Sequence, residues 1–251
     1  MFRQGWAFGC VVLGIAASVV PITCLAAQPD LDPEALSILK ATTDAITGAN
    51  SFSFRARVTR DRLATNDQLV TYFNEDTVTV SRPDKVRIDV DGEHHNVQFI
   101  FDGKTVTLFD PETKLYSSHS APHTIDGMLE AVDKQGIHFP IRNLLQSKPY
   151  DSLVEGIQSA YIIGRVNINQ KTFIHLVFTE ASADWQLWVE PGDKPVLRGM
   201  IVIYKTQPGM PRIVMDFSDW NLNAQPEASL FEFTKPEDAH EIQFLPLKEG
   251  K

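Results

Sequence analysis

Helical spacing of apolar side chains marks the chain between Asp30 and Gly48. Apolar or small residues recur there every three to four positions, which is the repeat of a helix with one buried face. Asp32 is suited to cap this helix, Pro33 to occupy its first position, and Gly48 to follow its last turn. We therefore predict an N-terminal helix whose inner stripe packs on an apolar surface. The stripe consists of Ala35, Ile38, Leu39, Thr42 and Ile46.

From Phe52 onward the repeat changes from helical to that of a strand. Phe52, Phe54, Ala56 and Val58 alternate with serine, arginine and threonine, which is typical of a strand with one buried face. Further strand-like segments follow, separated by short turns rich in Asp, Gly and Pro. These segments span residues 68–80, 85–90, 97–101, 104–110 and 114–118. Short connections between successive strands favour an antiparallel meander.

Helical spacing returns in the middle of the chain. In residues 123–136 the apolar side chains, including Met128 and Leu129, lie on one face of a predicted helix. Two shorter helical segments are predicted over residues 140–146 and 151–157. We expect these helices to form an insertion between two sets of strands.

Strand-like segments resume after this insertion and continue to Trp220. They span residues 161–168, 171–178, 184–190, 196–205 and 212–220. Several strands carry a large side chain on the face that is otherwise mixed in polarity. These side chains are Tyr72, Ile100, Trp188 and Tyr204. They fit two interpretations: they line an apolar cavity on the concave side of a curved sheet, or they pack in an ordinary sandwich.

The N-terminal segment has the layout of a secretory signal peptide. Arg3 precedes an apolar run, Cys10–Val20, that is well short of the ~20 residues needed to span a bilayer. Small residues at Ala26 and Ala27 suit cleavage. We therefore predict a cleaved export signal over residues 1–27.

Two alternatives to a cleaved signal stay open, an uncleaved anchor and a lipidated Cys24. The residues before Cys24 match a lipidation site poorly. With a cleaved signal, residues 28–251 form a single domain in the periplasm with no membrane-spanning segment. That domain has no cysteine, because Cys10 and Cys24 both leave with the signal. An oxidising compartment permits disulfides without requiring them.

The charge of the chain restricts its partners. Its 23 basic and 32 acidic side chains give a net charge of −9, which becomes −10 when Arg3 is removed with the signal. The acidic residues are scattered rather than grouped. Nucleic-acid binding needs a basic footprint and attraction to anionic membranes needs a polybasic segment, and the sequence shows neither. We therefore predict no nucleic-acid partner.

The sequence contains no motif for catalysis or cofactor binding. It has no G-x-S-x-G elbow, phosphate-binding loop or dinucleotide fingerprint, and its seven histidines show no metal-ligand spacing. Two carboxylate pairs, Asp89 with Asp91 and Asp216 with Asp219, are candidates for acid and base work of the glycosidase kind. We predict a non-enzymatic protein without metal or cofactor and keep a carboxylate hydrolase as an alternative.

Four segments, in their order and spacing, resemble the superfamily of the periplasmic lipoprotein carriers LolA and LolB. They are residues 50–56, 82–87, 102–111 and 231–236, which read NSFSFRA, RPDKVR, DGKTVTLFDP and FEFTKP. The resemblance covers the chain from about Leu31 to Pro246. The chain is also similar to a family of predicted periplasmic proteins of unknown function that shares this fold.

The resemblance implies a strongly curved, incomplete antiparallel β-barrel, covered by the N-terminal helix and a central helical lid. It implies acyl chains of a lipid or lipoprotein as the ligand. In the carriers, the arginine of the Arg-Pro motif holds the lid shut by hydrogen bonds, and the matching residue here is Arg82. A surface arginine before a proline is the alternative. The other residues expected at the ligand or lid are Phe52, Phe54, Ile100, Met128, Leu129 and Trp188.

The middle helices and the strand that holds Trp185 and Trp188 on opposite faces differ in sequence from those of the carriers.

The leading hypothesis is a periplasmic binding or carrier protein with an apolar cavity for lipid or acyl chains. The alternative is an envelope stress sensor or interaction module that uses the same sheet to bind a protein partner.

Overall fold

The computed structural model describes residues 30–93, 95–137 and 139–243. The predicted export signal over residues 1–27 lies outside the described residues, as do the histidines at positions 94 and 138. Strands of the described residues form one large sheet, and helices cover one of its faces.

Thirteen strands make up the sheet. They are β1 (Asp30–Leu31), β2 (Ser51–Leu63), β3 (Leu69–Ser81), β4 (Lys85–Gly92), β5 (Val97–Phe101), β6 (Thr105–Asp110), β7 (Leu115–Ser120), β8 (Ile157–Ile168), β9 (Lys171–Glu180), β10 (Ala183–Glu190), β11 (Val196–Tyr204), β12 (Arg212–Asn221) and β13 (His240–Glu241). Each predicted strand is present. The largest differences are that β2 continues to Leu63 and that β8 begins at Ile157, which was predicted as the end of the third central helix.

The strands lie in the order β1-β8-β9-β10-β11-β12-β2-β3-β4-β5-β6-β7-β13. The pairs β1–β8 and β13–β7 are parallel, and the other neighbouring pairs are antiparallel. Two meanders meet where β12 pairs with β2. Across the described residues the sheet ends at β1 and β13 without closing, which confirms the predicted incomplete barrel.

The first helix, α1 (Pro33–Thr47), confirms the N-terminal prediction. The side chain of Asp32 accepts a hydrogen bond from the backbone N–H of Glu34 at 2.8 Å and so caps the helix. Gly48 follows the helix with φ −70°, so the left-handed conformation that favours glycine at this point is not used. The buried stripe of α1 is Ala35, Leu39, Thr42, Thr43 and Ile46.

The two short edge strands are the elements that the sequence pattern did not reveal. Asp30–Leu31, predicted as the start of the helix, is extended and pairs with residues 159–160 of β8. His240–Glu241 pairs with residues 115–116 of β7 in the same parallel manner. A strand of two residues is too short to show a period, so only its pairing partner defines it.

The central helices follow β7 in the chain, as predicted, and form a lid on the concave face. They are α2 (Ile125–Asp133), α3 (Arg142–Leu145) and α4 (Pro149–Val154). The side chain of Thr124 caps α2 by accepting a hydrogen bond from the N–H of Gly127 at 3.1 Å. Neither α3 nor α4 has a side-chain hydrogen bond that caps its N-terminus.

The convex face of β4 to β7 is covered by the C-terminal segment, in which Ala228–Phe231 form a 3-10 turn. Arg87 donates a hydrogen bond from Nη1 to the carbonyl oxygen of Leu230 at 3.1 Å. The ring of Phe233 lies 5.4 Å from that of Phe109 and 5.2 Å from that of Tyr116. This segment therefore gives the sheet a second, smaller apolar contact on its outer side.

Phe54 lies at the centre of the inner face and is 1% exposed. Its ring lies 4.4 Å from that of Trp220 and 5.6 Å from that of Phe217. We expect Phe54→Ala to lower the free energy of unfolding by about 3–5 kcal/mol, because the cavity cannot collapse between β2 and β12. Urea unfolding measures this loss.

The matched control for Phe54→Ala is Arg57→Ala on the outer face of the same strand. Arg57 pairs with Glu75 at 2.8 Å, but both side chains are more than half exposed. Such a surface pair contributes ~0–1 kcal/mol. Equal losses in the two variants would contradict the assignment of β2's inner and outer faces.

Candidate functional site

The lid covers the concave face with apolar side chains that point into the sheet. Those from α2 and from the segment around α3 are between 0% and 4% exposed. They are Ile125, Met128, Leu129, Val132, Ile141, Leu144 and Leu145. The lid therefore fills the concave side of the sheet.

The space left between the lid, α1 and the sheet is small and apolar. It has a volume of about 20 Å³ and is lined by Leu39, Leu144, Trp185 and Leu187 among others. A single water needs roughly 10–15 Å³ measured with a water-sized probe. An acyl chain therefore has room in this interior only when lid side chains move out of it.

The lid is attached to the sheet at the turn between β3 and β4. Arg82 donates a hydrogen bond from Nη1 to the carbonyl oxygen of Leu145, at the end of α3, at 3.0 Å. The carbonyl oxygen of Pro83 accepts from the N–H of Ile125, at the start of α2, at 3.0 Å. The guanidinium of Arg82 also lies 5.5 Å from the centre of the Phe52 ring. We call these contacts the clasp.

Several polar atoms near the clasp are buried without a partner among the described residues. They are Nε and Nη2 of Arg82 and Oε1 of Gln146, the residue next to Leu145. Burial lowers the pKa of Arg82, and the nearby carboxylate of Asp126 opposes this effect. A buried polar group without a partner costs about 1–3 kcal/mol. Closure of the lid therefore has a free-energy cost from these buried polar atoms, which partly offsets the hydrogen bond between Arg82 and Leu145.

The lid is braced internally by polar contacts between its first two helices. Arg142 and Asp133 form an ion pair with Nε and Oδ2 2.6 Å apart. At the other end, the carboxylate of Asp126 accepts hydrogen bonds from the N–H of Ser147 at 2.9 Å and from its hydroxyl. These two braces join the start of α2 to the end of α3 and the end of α2 to the start of α3. We therefore treat α2 and α3 as one unit.

Five of the residues singled out in the sequence lie together at this lid. Arg82 forms the clasp, Phe52 and Phe54 lie on the inner face of β2, and Met128 and Leu129 pack down from α2. The four apolar residues are at most 1% exposed. In the closed structure they form part of one apolar core.

The other two, Ile100 and Trp188, lie on the opposite face of the sheet. Ile100 alternates with the inner residues Phe99 and Phe101, and it is buried outside the main core cluster. Trp188 stacks on His175, with ring centres 4.2 Å apart. Trp185 lies on the inner face of the same strand and is 3% exposed.

Of the four carboxylates considered for catalysis, Asp91 is exposed and the other three lie on the outer surface beside arginines. Asp89 pairs with Arg87 at 2.8 Å, and Asp216 pairs with Arg198. Asp219 lies 3.9 Å from Arg55. Among the described residues no group of three or more His, Cys, Asp or Glu side chains is arranged to hold a metal ion.

A polar group on the concave face was not anticipated from the sequence. The inner face of β2 is apolar up to Val58 and then continues with Arg60, which lies opposite Tyr72 of β3. Asn74 and Asp76 share this face of β3, and the amide of Asn74 donates to Asp76 at 2.5 Å. The apolar interior therefore ends in a polar region at one end of β2 and β3.

Asp76 is the carboxylate of this region that its surroundings perturb most. Burial raises its pKa to about 6, while the hydrogen bond from Asn74 and the charge of Arg60 act in the opposite direction. Burial also lowers the pKa of Arg60 and raises that of Tyr204. Each of these shifts has the same physical cause, withdrawal of a polar group from water on the concave side of the sheet.

An open, curved sheet covered by an N-terminal helix and a helical lid is the fold that the resemblance to the carriers implied. The family model described as "Predicted periplasmic protein (DUF2092)" matches residues 35–245, and the chain belongs to this family. The predicted similarity to a family of periplasmic proteins and the predicted periplasmic location are thereby confirmed. No curated protein sequence matches the chain.

Solved structures with similar folds have low sequence identity. LprF from Mycobacterium bovis is 16% identical with a TM-score of 0.48, covering 85% of this chain and 100% of its own. A LolA superfamily protein from Nitrosomonas europaea is 12% identical with a TM-score of 0.36, covering 79% and 97%. MucB in its complex with MucA from Pseudomonas aeruginosa is 9% identical with a TM-score of 0.38, covering 80% and 61%.

No helix of the described residues combines the length and hydropathy that crossing a bilayer requires.

The raised pKa of Asp76 predicts a specific pH dependence of stability. Between about pH 4 and pH 6 the folded state binds a proton that the unfolded state, with a pKa near 3.8, has released. Stability therefore falls as the pH rises through this window, by up to about 3 kcal/mol. Asp76→Asn is expected to remove this slope and to be more stable than the wild type at pH 7.

Urea unfolding between pH 4 and pH 7 measures this effect. Asp91→Asn, at an exposed position on β4, is the control and is expected to keep the wild-type slope. Parallel curves for the wild type and Asp76→Asn would show that Asp76 is not withdrawn from water.

Proposed function

We propose that the mature protein, residues 28–251, is a non-enzymatic periplasmic binding or carrier protein for ligands with acyl chains. The observation that carries this proposal is the cover of the concave face. The apolar side of an open sheet is closed by a braced helical lid rather than by a second sheet. The clasp of that lid contains buried polar atoms that have no partner in the part of the chain that the structure describes. Opening of the lid admits the ligand to the interior.

An acyl chain can replace the lid side chains on the concave face because both offer an apolar surface. The segment around α3 inserts Ile141, Leu144 and Leu145 into the concave face. Apolar burial is non-directional, so an acyl chain in their place restores the apolar area that opening exposes. The lid is suited to move, since α3 has four residues and α4 has six, and helices of this length are not stable alone.

Arg82 controls the position of the lid in this proposal. Its hydrogen bond to Leu145 joins the turn after β3 to the end of α3. A hydrogen bond from a charged donor is worth about 1.5–3 kcal/mol. That value is large enough to favour the closed lid and small enough for a ligand to outweigh it.

A second candidate function is binding of a protein partner in the envelope. Outside its contact with β1, strand β8 lies at the edge of the sheet, and it carries three apolar side chains that are about half exposed. They are Tyr161, Ile163 and Ile168. Such an edge suits pairing with an added strand. A partner whose binding is lost in Ile163→Lys and kept in Arg82→Gln would favour this function.

Native mass spectrometry of the protein purified from periplasm tests the proposed function. We expect a fraction of molecules to carry a bound species that organic solvent extracts and that contains acyl chains. The same protein, stripped of ligand, is expected to bind a fluorescent fatty-acyl probe. Absence of both the bound species and probe binding would contradict the proposal.

The clasp predicts that Arg82→Gln increases the affinity for the acyl probe. If the lid must open first, the apparent affinity is reduced by the fraction of molecules that are open, so a weaker clasp raises it. A decrease of about 1.4 kcal/mol in the free energy that favours the closed lid corresponds to a roughly tenfold lower apparent Kd. Probe titration followed by fluorescence measures the change.

Arg57→Gln, on the outer face of β2, is the matched control and is expected to bind the probe like the wild type. Weaker binding by Arg82→Gln would indicate that Arg82 contacts the ligand directly instead of holding the lid.

A further inference from the structure

The arginines at the end of β2 lie on the face that lines the interior. Phe52 to Val58 fill the core at every second position, and the next two positions of the same face are Arg60 and Arg62. Charged residues normally occupy the solvent side of such a strand. Here two successive inner positions are cationic at the point where the lid no longer covers the strand.

These two arginines line an open pocket of about 510 Å³. Tyr204 and Arg212 reach the same pocket from the other side, and Phe139 closes it on the lid side. Arg212 is paired with Asp61 at 3.2 Å, so its charge is compensated. Three arginines and one aspartate give the pocket a positive charge in a chain whose net charge is −9.

Arg60 and Arg62 lack a counterion in contact. Among the described residues, no carboxylate oxygen lies within 4.0 Å of a guanidinium nitrogen of Arg60 or Arg62, the distance that defines an ion pair. Asp76 acts on Arg60 electrostatically without forming an ion pair. Arg60 is partly buried, and a partly buried cation without a counterion in contact is costly, so a ligand anion would lower that cost.

The pocket continues into the apolar interior. A second pocket of about 270 Å³ shares Arg60, Arg62 and Phe139 with it and extends to Ile88 and Ile141. The carboxylates of Asp76 and Glu93 also line this second pocket, so the cationic part of the site lies at the outer pocket. Ile141 also lines the small apolar cavity beneath the lid. A ligand with an anion at the arginines and an acyl chain beside Ile141 therefore enters the space that the lid occupies.

We propose that this pocket binds the phosphate group of an amphipathic ligand, with Arg60 and Arg62 as its cationic partners and the acyl chains directed beneath the lid. This inference rests on the proposed function and adds the class of headgroup. Forked guanidinium donors match phosphate oxygens. A volume of about 510 Å³ exceeds the needs of a bare ion and leaves room for the rest of a headgroup.

Binding of two lipids with identical acyl chains, phosphatidylglycerol and diacylglycerol, tests the inference. The wild type is expected to bind phosphatidylglycerol about tenfold more tightly, because only that lipid forms charge-assisted hydrogen bonds. Salt is expected to reduce this preference. Arg60→Gln and Arg62→Gln are each expected to reduce it, and together to abolish it, with diacylglycerol binding unchanged. Arg57→Gln is the control.

The outcomes separate this inference from the proposed function. Equal binding of both lipids by the wild type, or an unchanged preference in both variants, would overturn the headgroup site and leave the acyl-binding function standing. Binding of neither lipid would overturn both. Arg62 is exposed, so its variant keeps the test valid if Arg60→Gln unfolds.

Inorganic phosphate distinguishes a lipid headgroup from a free anion. We expect it to compete with phosphatidylglycerol for the wild-type site with a Kd at least about a hundredfold higher than that of the lipid, because inorganic phosphate lacks the apolar contacts. Inorganic phosphate that binds as tightly as phosphatidylglycerol would overturn the lipid assignment.

Discussion

An open sheet with one apolar face must have that face covered, and the rest of this molecule follows from how it is covered. The alternation along β2 places Phe52, Phe54, Ala56 and Val58 on one side of the sheet, and neighbouring strands extend this apolar surface in register. A closed barrel or a second sheet would bury it permanently. Here the cover consists of helices, which can move without breaking the hydrogen bonds between strands.

The two parts of the cover are built differently. Helix α1 has fifteen residues, a capping side chain at Asp32 and a buried stripe. It is anchored to β8 by the hydrogen bond from the N–H of Asp32 to the carbonyl oxygen of Ala160 at 2.8 Å. The lid has shorter helices, and its clasp has buried polar atoms that find no partner within residues 30–93, 95–137 and 139–243. Local stability therefore differs across the concave face, with the lid as the element that opens at lowest cost.

The sequence predicted the strands and helices well because each has a period long enough to detect. The turn at Asn169 and Gln170 joins β8 to β9 as expected, and both residues adopt the left-handed conformation that such hairpins need. Alternation separates the two faces of a strand without showing which face is inside, and Ile100 and Trp188 illustrate this limit. Arg60 was not recognised because a charged residue in an alternating strand is typical of a solvent-facing position, and only pairing with distant strands places it inside.

The charge of the molecule gives the pocket at Arg60 and Arg62 its significance for a carrier. A net charge of −9 disfavours adsorption of the protein to anionic bilayers. Arg60 and Arg62 lie together at one pocket, where a single phosphate group can contact both. On the proposed function, this arrangement attracts a single headgroup and repels the membrane as a whole. A carrier needs both properties, because it must take up a lipid and then leave the bilayer that supplied it.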